Sequence, residues 1–216
     1  MRNGMQYFIN NPLYTITAEE LSNGRSNIEV VEKMLEAGIK FIQYREKEKP
    51  ARERYLECLQ LLEMTKKAGA IFIIDDFIDL ALAVNADGVH IGQTDLPPQV
   101  VRQMLGENKI IGLSTHDEKQ LQQANDLGSI IDYIGVGPVY ATQTKKDAVP
   151  VGFSYVEYAS KFAKHPFVAI GGIKEHNICE VAKHGAKTFA IVSEIVGADD
   201  IVKKIHSIEN TLNNRK

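Results

Sequence analysis

Polar clusters of a few residues follow short apolar runs throughout this 216-residue sequence: Gln43-Tyr44-Arg45-Glu46-Lys47, Asp75-Asp76, Gln93 with Asp95, and Ser114-Thr115-His116. Further along come Thr142 and Thr144 with Lys145 and Lys146, then Gly171-Gly172, then Val192-Ser193. Arg45 and Lys47 alternate as on a strand, so both face one side and would meet a diphosphate as a fork and a point charge. Asp76 and Asp95 offer the hard oxygens that suit Mg²⁺, which takes one or two carboxylates, keeps several waters and completes its shell with phosphate oxygens. No Ser/His/Asp arrangement with nucleophile spacing stands out, and no H-x-x-x-H pair is present for zinc. The simplest chemistry is departure of a diphosphate aided by metal and cations, followed by attack from a second bound molecule.

Each cluster also has a plainer reading. The stretch QYREKEKPARER reads as a solvated charged turn, and Lys145 and Lys146 as a basic loop. Asp95, just before Leu96-Pro97-Pro98, could cap a helix. That reading is weaker for Asp76, because paired carboxylates repel unless a cation or proton intervenes, and Asp75 is its neighbour. Gly171-Gly172 could be only a tight turn, and His90 a hydrogen-bonding residue at a strand end.

The elements that must position these groups alternate in type. Apolar runs at Pro12–Ile16, Phe41–Tyr44, Ile71–Asp75, Gly88–Ile91, Ile110–Leu113, Tyr133–Val136, Phe167–Ile170 and Thr188–Val192 are too apolar to be half-exposed strands. Between them lie amphipathic stretches, among them Asn27–Ala37 (Val30, Val31, Met34, Leu35), Arg52–Lys67 (Leu56, Leu59, Leu61, Leu62) and Asp200–Leu212. Eight strands each followed by a helix predict an α/β protein, a single (β/α)₈ TIM barrel over residues 1–216. A dinucleotide fold would want G-x-G-x-x-G after its first strand, where this sequence reads TAEELSNGRSN. In a barrel the polar clusters gather at the C-terminal ends of the strands, and the loops after the last two strands are the recurrent phosphate site. Glycine-exposed N–H groups at Gly172 and Ser193 would then form a second anion socket. The long loop from Tyr140 to Phe153 is a candidate lid.

A formal net charge of −3 leaves no global cationic field for nucleic acid or acidic lipid, so small-molecule substrates are the expected partners. Cys58 and Cys179 lack metal-like spacing, no run is long enough for a membrane span, and MRNGMQYFIN has no signal-peptide core. A cytoplasmic protein is expected, with self-association left open.

The motifs QYREK, FIIDD, ADGVHIGQTD, GLSTH, DYIGVGPVYATQTKKD, FVAIGGI and AIVSEI occur in the order found in the thiamine-phosphate synthase family, which the chain resembles over nearly its whole length. The resemblance implies a (β/α)₈ barrel that joins hydroxymethylpyrimidine diphosphate to thiazole phosphate, with pyrophosphate leaving before the thiazole nitrogen captures a pyrimidine-stabilised cation. It implies that Gln43, Arg45, Lys47, Ser114 and Lys145 hold the pyrimidine diphosphate, with Arg45, Ser114 and Lys145 as the catalytic set. Asp76 and Asp95 would bind Mg²⁺, and Thr142, Thr144, Gly172, Val192 and Ser193 the thiazole phosphate. Asp75, counted with the substrate-binding residues, stands where many members have Asn, and Phe77 where Arg is frequent. A carboxylate at 75 would repel diphosphate unless protonated or matched by a cation. Rival readings are a thiazole tautomerase, expected to carry His at Gly137-Pro138, another phosphate-binding barrel such as a sugar-phosphate epimerase, and a non-catalytic regulator that binds thiamine intermediates.

Overall fold

The apolar runs pair in the order in which they occur. In the computed structural model, which describes residues 2–142, 144 and 149–214, parallel strands β1 (Leu13–Ile16), β2 (Phe41–Tyr44), β3 (Ile71–Asp75), β4 (Gly88–Ile91), β5 (Ile110–Thr115), β6 (Tyr133–Val136), β7 (Phe167–Ala169) and β8 (Thr188–Ile191) close into a barrel. Closure is made by β1 on β8, with Tyr14 opposite Ala190 and Thr15 opposite Ile191. The strands β2, β3, β4 and β6 have the bounds read from the sequence. The first begins at Leu13 rather than Pro12, whose carbonyl still accepts from Phe189 N at 2.8 Å. β5 runs on to Thr115, and β7 and β8 each stop one residue short.

Outside the strands lie α1 (Met5–Asn10), α2 (Asn27–Glu36), α3 (Ala51–Ala68), α4 (Ile78–Val84), α5 (Pro98–Leu105), α6 (Glu118–Asp126), α7 (Gly152–Phe162), α8 (Ile178–Lys183), α9 (Ser193–Val196) and α10 (Ile201–Asn213). Their ends follow local chemistry: Ser26 and Glu29 form a capping box on α2, and Asp117 and Asp200 accept from the third residues of α6 and α10. On α3 the buried stripe is Cys58, Leu61, Leu62 and Thr65, whereas Leu56 and Leu59 are exposed at 50% and 39%. The sequence reading placed all four leucines on one face. The 3.6-residue period puts 58, 61, 62 and 65 together and leaves 56 and 59 beside the stripe. Among the described residues no helix is long and apolar enough to cross a membrane.

Strand alternation divides the interior in two. One set, including Ile42, Tyr44, Phe72, Ile74, Val89, Ile111, Ile134 and Phe189, packs against the helices. The other, Tyr14, Ile16, Phe41, Ile71, Ile73, Ile110, Tyr133, Val168 and Ala190, fills the barrel. Met5 and Phe8 of α1 belong to this second core and close its N-terminal end. The Phe8 ring lies 5.3 Å from Phe41 and 4.7 Å from Tyr133, centroid to centroid. Arg2, 2.7 Å from Asp132, ties the segment before α1 to the base of β6.

Because Phe8 is 1% exposed and fills the floor of the barrel, Phe8→Ala should lower unfolding free energy by about 3–5 kcal/mol in urea titrations. A loss below about 1 kcal/mol would show that the floor collapses around the gap.

Candidate active site

The alternation that fills the barrel also delivers its polar mouth. Continuing the inward positions Phe41, Ile71 and Ile110 along their strands reaches Gln43, Asp75 and Ser114, and the register places His90 beside Asp75 and Gly112. Beyond β2, Arg45 Nε is 3.8 Å from Asp75 Oδ2 and Lys47 Nζ 2.7 Å from the same oxygen. Lys47 also pairs with Asp76 Oδ2. The same-side expectation for Arg45 and Lys47 holds, but the solvated-turn reading does not hold for Tyr44 and Glu46, which are buried and hydrogen-bonded on the outer side. Tyr44 donates to Glu57 Oε2 at 2.6 Å, and Glu46 Oε1 accepts from Glu19 N at 3.0 Å and Asn27 Nδ2 at 2.9 Å. Lys49 bonds Glu57 at 2.9 Å. One set of side chains therefore anchors the segment outward while the other aims inward.

The carboxylates are not equivalent. Asp75 is 8% exposed, and burial pushes its carboxyl above the usual range. Lys47 and Arg45 pull it back down, and the charge of Asp95 adds to the rise. The Lys47 ammonium is opposed by its own burial, but Asp75 and Asp76 more than compensate and hold it above its ordinary value. Asp76 adopts φ +60°, in the left-handed region that aspartate enters more readily than most side chains, with its N–H donating to His90 O at 2.9 Å. Asp95 does not cap α5, whose N-cap is Pro97; Asp95 Oδ2 accepts instead from Gly92 N at 2.6 Å. Phe77 lies under Arg54, whose guanidinium carbon is 3.6 Å from the ring centroid, a cation–π contact beside the site.

Below the mouth runs a polar column that joins Gln43, Ser114 and His90, the last a strand-end hydrogen-bonding residue as the sequence suggests, to Tyr14 and Tyr133, which the sequence reading did not single out. Ser114 Oγ is 2.9 Å from His90 Nε2, His90 Nδ1 is 3.0 Å from the Tyr133 hydroxyl, and that hydroxyl is 2.8 Å from Tyr14. Gln43 Nε2 donates to Tyr14 at 2.8 Å. Burial pushes the His90 pKa down to about 4, so the ring is neutral at physiological pH. Burial likewise holds Tyr14 and Tyr133 well above the usual phenol range. A signal for the column was present in Gly112, inside an otherwise bulky strand: a Cβ there would come within 2.2 Å of Tyr133 Cζ and 2.5 Å of His90 Nδ1.

On the opposite side, the loop after β6 packs on the end of β7. Gly172, at φ +63°, admits Ala141 O and Tyr140, and a Cβ would lie 2.6 Å from that oxygen. Gly171, at φ +98°, similarly faces Pro138. The glycine pair thus makes a turn, as the plainer reading held, and the turn brings the loop close. Thr144 N donates to Thr142 Oγ1 at 3.3 Å, and Thr144 O accepts from Arg45 Nη2 at 3.2 Å, joining this loop to the first cluster. Val192 is half-buried, and Ser193 opens α9 and is exposed. Lys145 and Lys146 lie outside the described residues. The last residues of the candidate lid, Gly152 and Phe153, belong to α7. Among the described residues, no group of three or more His, Cys, Asp or Glu side chains is arranged to hold a metal ion.

Residues 13–195 match the family model described as thiamine monophosphate synthase. The chain is 55% identical over 216 residues to the thiamine-phosphate synthase of Pelotomaculum thermopropionicum, covering 100% of this chain and 98% of that protein. It is 53% identical over 205 residues to the thiamine-phosphate synthase of Caldicellulosiruptor saccharolyticus, covering 94% and 92% respectively. The thiamine phosphate pyrophosphorylase structure from Pyrococcus furiosus superposes with a TM-score of 0.84 at 35% identity, covering 94% of this chain and 96% of that one. A 3-hexulose-6-phosphate synthase structure, at 18% identity and a TM-score of 0.62, shares the fold.

The raised Asp75 carboxyl sets a sign for the pH dependence of stability. A group raised in the folded state favours folding below its unfolded pKa and loses that contribution as pH rises through the folded value. The stability of the parent relative to Asp75→Asn should therefore be greatest below the ordinary carboxylate range and fall as pH rises through the raised folded value, in paired thermal melts. A gap that stays constant would show that Lys47 and Arg45 fully offset the burial.

Proposed function

The chain belongs to the thiamine monophosphate synthase family, and on that premise we propose that it joins 4-amino-2-methyl-5-hydroxymethylpyrimidine diphosphate to 4-methyl-5-(2-phosphoethyl)thiazole, giving thiamine phosphate and pyrophosphate. It is thus an enzyme, a transferase of thiamine biosynthesis. The observation that carries the residue-level reading is the meeting of Arg45 and Lys47 with Asp75 and Asp76 directly above Gln43 and Ser114.

Gln43 and Ser114 hold the pyrimidine, while Arg45, Lys47 and Lys145 hold its diphosphate. In the ligand-free arrangement Lys47 serves as counter-ion to Asp75 and Asp76. A cation bound by the carboxylates would release the ammonium toward the diphosphate, which explains how a carboxylate at position 75 is tolerated beside an anionic substrate. Asp76 and Asp95 fit Mg²⁺ as hard oxygen donors: the Lys47 ammonium on Asp76 marks a place where positive charge is stable, and Asp95 is near enough for its charge to raise the Asp75 carboxyl. Bound Mg²⁺ would stabilise the negative charge that builds on the departing diphosphate. Arg45, Lys47 and Lys145 take up the rest of that charge as the carbon–oxygen bond breaks and pyrophosphate leaves with the electron pair. Thr142, Thr144, Gly172, Val192 and Ser193 hold the thiazole phosphate so that its ring nitrogen captures the pyrimidine-bearing carbon. No side-chain nucleophile is required. We read residues 1–216 as one barrel domain acting on small molecules in the cytoplasm. The loop ahead of α7, over residues 140–151, is its lid, closing to exclude water from the cationic carbon. The bond between Arg45 and Thr144 supports a loop that reads the diphosphate socket.

Pyrophosphate release should require the pyrimidine diphosphate, the thiazole phosphate and Mg²⁺ together, and should stop with EDTA. Binding of both substrates without turnover would overturn the catalytic reading. In Asp95→Ala the Mg²⁺ titration should move to higher concentration with lower turnover, and an unchanged titration would remove Asp95 from the metal site.

A further inference from the structure

We propose that Tyr14, Tyr133 and His90 are positioning residues that carry the orientation of the Gln43 amide to the Ser114 hydroxyl, so that the mouth presents one fixed acceptor and one fixed donor. This rests on the functional reading above and names how that site selects its heteroaromatic ring.

The argument is one of counting hydrogens. Gln43 Nε2 donates to the Tyr14 oxygen. The Tyr14 hydrogen must then go to Tyr133, its remaining partner, because Tyr14 is 1% exposed and an unmade bond there is costly. Tyr133, having accepted from Tyr14, passes its own hydrogen to His90 Nδ1. An imidazole that accepts at Nδ1 carries its hydrogen on Nε2, and Nε2 faces Ser114 Oγ. Ser114 therefore accepts from His90 and keeps its hydrogen for a ligand.

With Gln43 Nε2 directed at the Tyr14 oxygen, the opposite order fails at one atom. If Ser114 donated to His90 and His90 to Tyr133, Tyr133 would donate to Tyr14, and Tyr14 would accept twice with its own hydrogen stranded in the core. The other end of the column is fixed by the same logic. With its nitrogen committed to Tyr14, Gln43 turns its carbonyl oxygen to the substrate side as an acceptor.

A ring edge that puts an acceptor opposite Ser114 and a donor opposite Gln43 matches this polarity. A 4-aminopyrimidine does so through its ring nitrogen and exocyclic amine, whereas the 4-oxo form reverses both groups. Selection arises because the wrong ring leaves the buried Gln43 and the half-buried Ser114 facing their like. The column is rigid: Tyr133 packs against Phe8, Tyr14 and Phe41, and Gly112 leaves no slack around it.

The test compares binding of 4-amino- and 4-oxo-2-methyl-5-hydroxymethylpyrimidine diphosphate by calorimetry, with turnover measured in parallel. The parent should prefer the amino compound, and Tyr133→Phe and Tyr14→Phe should each reduce that preference by about tenfold or more, the worth of one ordered buried hydrogen bond. The KM for thiazole phosphate should not change. Each variant keeps its ring and its packing, and a thermal melt confirms that it is folded. A purely structural role would lower melting temperature without moving the ratio, so an unchanged preference in folded variants overturns the proposal, as does a parent that prefers the oxo compound. A parent that discriminates in binding yet releases no pyrophosphate would overturn the functional reading while supporting the column.

Discussion

A period of two, closed into a ring of eight parallel strands, leaves each residue only two places to point. The rest of the structure follows from which residues take the inward places. Near the floor they are Phe41, Ile71, Ile110 and Tyr133 around Phe8, and near the mouth they are Gln43, Asp75, His90 and Ser114. Hydrophobic filling and polar chemistry thus share one register, and the filling fixes the chemistry. A slip of one residue in any strand would send a core residue to the helices and a site residue with it.

The electrostatics of the mouth depend on balance rather than on excess charge. Asp75 is buried enough to resist ionisation, and only the approach of Lys47 and Arg45 makes a carboxylate tolerable there. The chain is acidic overall, yet its cations converge at one point through strand geometry, so an anionic substrate needs no global field. Around this point a second set of polar contacts, Tyr44 with Glu57 and Glu46 with Asn27, holds the segment from behind.

The barrel was legible because its strands are short, apolar and punctuated, and half of them have the bounds that pattern suggests. The mouth was legible for the same reason: a strand's last residues are at its end whatever the tertiary detail. The polar column was legible only at His90, a strand-end hydrogen-bonding residue, since Tyr14 and Tyr133 lie within strands and look like ordinary filling until the register sets them side by side. Gly112 carried a second local hint, an empty position where a bulky residue is expected. On α3, a cysteine and a threonine outrank two leucines, because helix phase rather than hydrophobicity chooses the buried face. The role proposed for Lys145 rests on sequence alone, since the residue lies outside the described ones; the neighbouring Thr144 is joined to Arg45.

The alternation along Gln43 to Lys47 bears on how such a chain can change over time. Substitutions there act one side chain at a time and can be graded. Insertion or deletion of a single residue between Gln43 and Lys47 would exchange the two sets at once, turning Glu46 toward Asp75 and sending Arg45 to the outer anchors. The length of this segment is therefore under stricter constraint than its composition, and length variation within such barrels belongs in connections that carry no inward-facing charge.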